Sequence, residues 1–309
     1  RTINSIILNK NQVRWICLMG ALVLGSVYFF LFDFLRPEQF DSPSFVGGAK
    51  LLFGLEGGCD FQGRTSKPLG LILPGLLTAL TGWDTWSLFL VQNIIFYFLF
   101  AYLLVSTLFY FTQKPIVVIA AFFIVFMTQP FAIFSFMVML DLLGWYFILL
   151  GIWYIKKSGL IEQLQDAHNP NNRHIYKSLF ILSIITVIGF FFKESVAAIA
   201  VYVGVVLMLS PQGIIHKFKQ GLLYVGVTSV GIVSISYFIN QLGHQTAGER
   251  FLEIYANYGF TFYSSSTIFQ VYRIVDHFWI LFFIGLLPFN RKWIFEEKAM
   301  IITIILILV

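Results

Sequence analysis

The residues that could do chemistry are few, and their densest group lies between the first two long apolar runs: Asp41, Asp60, Arg64 and Lys67. Asp41 stands directly before Ser42-Pro43, a helix-start signal in which Ser caps and Pro suits the first helical position. A carboxylate there has two readings. It is favoured by the helix dipole, or it is a general base that takes the proton of an attacking hydroxyl or amine. Arg64 and Lys67 are likewise either interfacial anchors or the donors that hold a phosphate leaving group. Asp141 opens a later apolar run, where facing lipid would cost a few kcal/mol, so it is expected to face protein or water. It reads as a second site carboxylate or as a helix N-cap. Lys193-Glu194 separates two further apolar runs, and its local reading is a hairpin salt bridge. Arg273 and Asp276-His277 form a weaker candidate group beyond a loop rich in Tyr and Ser.

The elements that must carry these residues follow from composition. The chain has 309 residues, 58% hydrophobic and 11% charged, against roughly 25% charged in soluble domains. No single aqueous core of this size hides so much apolar surface. In lipid every backbone polar group is paired internally, which leaves helices or closed barrels. Long, nearly unbroken apolar runs over 116–126 and 222–239 lack the alternation of barrel strands. An all-α, polytopic transmembrane helical bundle is the predicted fold class. Eight spans are expected, over 13–32, 86–111, 116–136, 139–155, 178–192, 195–210, 220–240 and 274–289, with a ninth from 299. The apolar stretch 69–80 is too short to span. It reads as a re-entrant or interfacial helix, or as an extension of the second span.

With the N-terminus in the cytoplasm, thirteen of the twenty Lys and Arg fall on the cytoplasmic side, which the positive-inside rule favours. Eleven of the fifteen carboxylates then fall outside. Two outer loops are long, 33–85 and 241–273. In the first, Phe45, Ala49, Leu52 and Phe53 recur at helical spacing, so an amphipathic helix on the membrane surface is expected. The whole of 1–309 reads as one membrane domain. Its start at Arg1 and its end within an apolar run lead us to expect a C-terminally incomplete piece of a longer protein.

Several functions lack their residues. There is no P-loop, no Gly-x-Gly-x-x-Gly and no Gly-x-Ser-x-Gly, and the five histidines lack zinc spacing. The net charge of +5 belongs with cytoplasmic loops, and no basic run interleaved with aromatics points to nucleic acid. Cys17 lies in an apolar run and Cys59 in a polar loop, so no disulfide is expected between them.

Asp41 with the amphipathic stretch to Gly54, then Ser66-Lys67-Pro68-Leu69-Gly70 and Leu80-Thr81-Gly82, resembles the first periplasmic loop of the GT-C membrane glycosyltransferases. The likeness is to the branch of protein mannosyltransferases and aminoarabinose transferases, and with the order of spans it covers roughly 13–200. It departs where many members have Asp-Glu, here Asp41-Ser42, and where the family has Glu-Lys-Pro-Pro, here Ser66-Lys67-Pro68-Leu69. The missing carboxylate leaves the need for a divalent metal open. The resemblance implies an enzyme of the inner or plasma membrane that moves a sugar from a polyprenyl-phosphate donor to a glycan, lipid or protein acceptor on the outer face. It implies Asp41 and Asp141 as catalytic carboxylates, and Arg64, Lys67 and Lys193 as donor-phosphate contacts. Asp60, Glu194 and Arg273 are further candidates. The rival reading is a transporter or flippase of lipid-linked glycans. That class places ionisable or helix-breaking residues near the midplane, whereas these charges sit at span ends.

Overall fold

The computed structural model describes residues 8–32, 42–59, 64–165 and 172–241. Among them it is helical, without a strand. Eleven α-helices follow in order: α1 Lys10–Leu31, α2 Ser42–Leu52, α3 Pro68–Thr81, α4 Thr85–Phe111, α5 Pro115–Phe126, α6 Gln129–Phe134, α7 Asp141–Ser158, α8 Leu160–Gln165, α9 Asn172–Phe190, α10 Ala198–Leu209 and α11 Ile214–Gln241. Short 3-10 turns occupy Arg64–Ser66 and Glu194–Ala197.

Local chemistry sets the helix ends. Asn9 and Gln12 form a reciprocal capping box that starts α1, their side chains accepting from each other's backbone N–H at 2.9 and 2.8 Å. Gly82, at φ 70°, closes α3 in the left-handed conformation that glycine tolerates. Two residues later Asp84 caps α4 by accepting from the Ser87 N–H at 3.0 Å. The apolar stretch 69–80 is therefore one arm of a helical hairpin with α4. Thr78 meets Thr85 at 2.9 Å near the turn, and Gln92 donates to the Gly70 carbonyl at 3.2 Å.

α1, α4, α9 over Arg173–Phe190 and α11 are long and apolar enough to cross a membrane. Their exposed surfaces carry Trp15, Val23 and Phe30 on α1 and Val230 and Phe238 on α11. Such faces suit lipid, because apolar surface of this extent is not left in water by a soluble domain. α9 begins at Asn172, well before the expected 178. The expected spans 274–289 and 299 onward lie outside the described residues.

The reading of 116–136 as one continuous span differs from the structure, which breaks between α5 and α6 at Met127-Thr128. Pro130 has no N–H to give to the carbonyl four residues earlier. That carbonyl belongs to Phe126, and it accepts from the Tyr28 hydroxyl of α1 at 3.0 Å instead. The break thus ties α5 to α1. Around it sits an aromatic core in which Phe122 stacks on Phe126 at 4.2 Å and Tyr97 packs on Phe136 at 4.8 Å. Tyr97 keeps its buried hydroxyl satisfied on the Ala21 carbonyl at 2.9 Å.

α2 packs against α3 and α4. Phe45 and Ala49, two of the apolar residues expected to share a face, are fully buried there. Cys17 and Cys59 are both free thiols.

Candidate functional site

Arg64 and Lys67 are brought in by the return from α2. The Cys59 N–H donates to the Gly47 carbonyl at 3.1 Å, which starts the chain back along α2. The turn Arg64–Ser66 then lies against α2: the Arg64 Nε donates to Ser44 Oγ at 3.0 Å, and its guanidinium covers the Phe45 ring at 4.4 Å. This geometry combines a hydrogen bond with cation–π attraction and removes Arg64 almost wholly from solvent. Lys67 is the N-cap of α3, followed by Pro68 in its first turn. Only 5% of Lys67 is exposed.

Asp141 comes from the far side of the core. The segment before it is held by Asn93, whose side-chain amide donates to the Met137 carbonyl, and by Leu140, which is buried against Gly70. α7 then starts at Asp141 with Leu140 as its N-cap, and no side chain caps the helix. Asp141 therefore does not act as the N-cap. Its Oδ1 lies 2.9 Å from the Lys193 ammonium, while its Oδ2 is buried without a hydrogen-bond partner. An unmatched acceptor in such a place is costly. Gly144, three residues on and so on the same helix face, lets Lys193 approach: a Cβ there would fall 2.7 Å from the Lys193 Cβ.

Lys193 and Glu194 do not pair with each other. Extended backbone at Lys193, φ −156°, sends the two side chains apart. Lys193 reaches Asp141, and Glu194 reaches Lys67 with an Oε2–Nζ distance of 3.0 Å. The dipeptide therefore staples the α2–α3 connection to the start of α7 through two ion pairs. Burial pushes the Lys67 ammonium down to about 8 from 10.5; Glu194 opposes this, and the neighbouring Lys193 and Arg64 charges add to it. Burial, the largest single influence, raises the Glu194 carboxyl, but the Lys67 charge and hydrogen bond, a backbone hydrogen bond and the Lys193 charge together bring it below the ordinary carboxylate value.

Five of the eight residues expected at the site, Arg64, Lys67, Asp141, Lys193 and Glu194, thus meet at one end of the described helices. Asp41, Asp60 and Arg273 lie outside the described residues. Sequence reasoning missed Ser44, Gly144 and Asn93, which position the charged groups without being charged. Gly144 had a signal: it stands three residues from an ionisable residue on an apolar helix. Among the described residues no three metal-ligating side chains cluster, and Asp141 faces a lysine instead.

The arrangement offers a phosphate or other anion the ammonium groups of Lys67 and Lys193, held in a mostly buried setting where charge-assisted bonds are strong. It offers a proton donor the free Oδ2 of Asp141. No family model, no curated protein and no solved structure matches this chain.

Proposed function

We propose that the chain is a polytopic, GT-C-like helical membrane glycosyltransferase that moves a sugar from a polyprenyl-phosphate donor to an acceptor on the outer face, with the N-terminus cytoplasmic. The observation that carries this reading is the meeting of Lys67, Glu194, Lys193 and Asp141, drawn from three separate stretches of chain onto one end of the helices. A costly buried network at the polar end of apolar helices is the mark of a working site in a membrane protein.

In the reaction a carboxylate accepts the acceptor's O–H or N–H proton. Asp41 is the base or site organiser, and Asp141, through its unmatched Oδ2, is the second carboxylate. The acceptor atom bonds to the anomeric carbon as the bond from that carbon to the phosphate oxygen breaks. The leaving polyprenyl phosphate takes the electron pair, and Lys67, Lys193 and Arg64 hold its charge. Asp141 and Glu194 keep these cations in place before the donor arrives. The resemblance of the 41–82 segment to GT-C loops supports the same assignment.

The test is transfer in liposomes from a panel of polyprenyl-phosphate monosaccharides, reading released polyprenyl phosphate. Asp41→Asn and Asp141→Asn are each expected to lower the rate by about a hundredfold or more, the usual share of a general base. Undiminished transfer by both variants at normal incorporation would overturn the reading. Translocation of a lipid-linked glycan without phosphate release would replace it with a flippase.

A further inference from the structure

A second charged feature lies at the opposite end of the same helices. A cavity of about 530 Å³ opens there, with α4 as its floor and α1 and α7 as its walls. One turn apart on α1, Lys10 and Arg14 form its cationic rim, each over a ring of α4: Lys10 over Phe109 and Arg14 over Tyr102, both at 5.5 Å. Leu103 on the α4 floor and Leu150 on the α7 wall line it further in. Among the described residues, no carboxylate lines the cavity. Among the described residues, neither Lys10 nor Arg14 pairs with one. Arg14 reaches only Asn11, by Nη1 at 3.4 Å, and its Nε is buried with no acceptor.

An unmatched guanidinium N–H and an ammonium at the mouth of an apolar cleft ask for an anion that carries a hydrophobic tail. α1 and α4 are long and apolar enough to cross a membrane, so the cleft opens toward acyl chains, and Leu99 and Tyr102 at its edge are exposed. A phosphodiester needs only the rim, and the remaining volume, lined in part by Leu103 and Leu150, is left for a chain. Basic pockets between apolar helices bind anionic headgroups by this combination. We infer that this cavity is a site for an anionic glycerophospholipid, with the phosphate on Lys10 and Arg14 and one acyl chain along Leu103 and Leu150. The site shares no residue with the Lys67–Asp141 network and is independent of the sugar-transfer reading.

The experiment is native mass spectrometry of the full chain released from detergent micelles supplemented with phosphatidylglycerol, phosphatidylcholine of the same chains, or inorganic phosphate. Wild-type protein is expected to retain phosphatidylglycerol over phosphatidylcholine. Lys10→Gln and Arg14→Gln are each expected to weaken that preference about fivefold. The doubly swapped Lys10→Arg, Arg14→Lys protein keeps the charge and is expected to keep the preference. Lys217→Gln, on exposed α11, controls for general loss of charge and is expected to leave it unchanged. Equal retention of the two lipids, an unchanged preference in both glutamine variants, or displacement of the lipid by millimolar inorganic phosphate would each overturn the inference. If the glutamine variants do not fold, the wild-type lipid comparison and the swapped protein still decide it.

Discussion

At the start of α7, Asp141 is matched to Lys193 at 2.9 Å; at its end, Lys157 lies over the Trp153 ring at 4.4 Å and Lys156 over Phe111 at 4.9 Å. α1 and α4 repeat the second pattern, with Lys10 and Arg14 on rings. At one end Lys67 and Lys193 are therefore held against carboxylates, with Arg64 on Ser44 and the Phe45 ring beside them; at the other, Lys10, Arg14, Lys156 and Lys157 lie over aromatic faces. The difference is physical. A cation over a ring keeps part of its hydration and contributes about 0.5–1 kcal/mol. A charge pair taken out of water contributes little net stability, yet breaking it is costly because one buried charge is left unmatched. The paired end is thus poorly explained as reinforcement, and it is the feature on which the proposed donor-phosphate site rests.

The largest expected effect comes from separating the pairs by shape alone. Gly144→Leu puts side-chain atoms where the Lys193 Cβ stands, since even a Cβ would lie 2.7 Å from it. Overpacking there is expected to cost about 3 kcal/mol, at the upper end of such changes, read as a lowered unfolding midpoint in detergent. Gly221→Ala on α11 is the matched control, because nothing lies within 4 Å of a Cβ added there. It is expected to be neutral or to stabilise by up to about 1 kcal/mol. Equal losses in the two variants would remove the contrast between the ends.

Glu194→Gln comes next. It leaves Lys67 buried with its anion gone, a change worth about 3–5 kcal/mol in a fully buried pair. The Glu194 side chain is 39% exposed, so solvent screening reduces the expected loss to about 2 kcal/mol. Lys67→Met in the Glu194→Gln background is expected to recover part of it, because the orphaned charge is then absent. Absence of any recovery would mean that the pair is not the source of the loss.

These two variants also show how far the sequence could be read. Asp141, Lys67 and Lys193 stand out as ionisable residues at the ends of apolar runs, because such residues are rare there and expensive to expose to lipid. Which partner each takes was not legible. Adjacency proposes Lys193 with Glu194, and only the extended backbone at Lys193 and the approach of α7 redirect them. The same limit applies to Pro130: it announces a break, but the rescue of the Phe126 carbonyl by Tyr28, 98 residues away in sequence, is a tertiary fact. Lys10 and Arg14 read from sequence only as markers of topology, since nothing local places a cavity beside them.

The pH response sharpens the contrast further. Lys67 titrates near 8 in the folded chain against 10.5 for a free lysine. Between those values the unfolded chain holds a proton that the folded chain has lost. The Lys67 contribution to stability therefore rises with pH across that window, and it is unfavourable and constant below it. Under the proposed sugar transfer the activity runs the other way, because a neutral Lys67 would no longer hold the donor phosphate. Release of polyprenyl phosphate is expected to fall as pH rises through about 8, and Lys67→Arg is expected to move that limb to higher pH because guanidinium stays charged. An alkaline limb unchanged in Lys67→Arg would detach it from Lys67.

The smallest effect is expected at the other end. Lys157→Gln removes a cation from the Trp153 face at an exposed position, a loss of about 1 kcal/mol at most. The long stem of lysine also covers apolar surface, so Lys157→Met separates the two contributions: it keeps the stem contact and drops the charge. Unfolding midpoints within about 0.5 kcal/mol of wild type for Lys157→Met would assign the contact to packing. A larger loss, near that expected for Glu194→Gln, would mean that charge matters as much at this end as at the other, and the distinction between them would fail at its weakest contact.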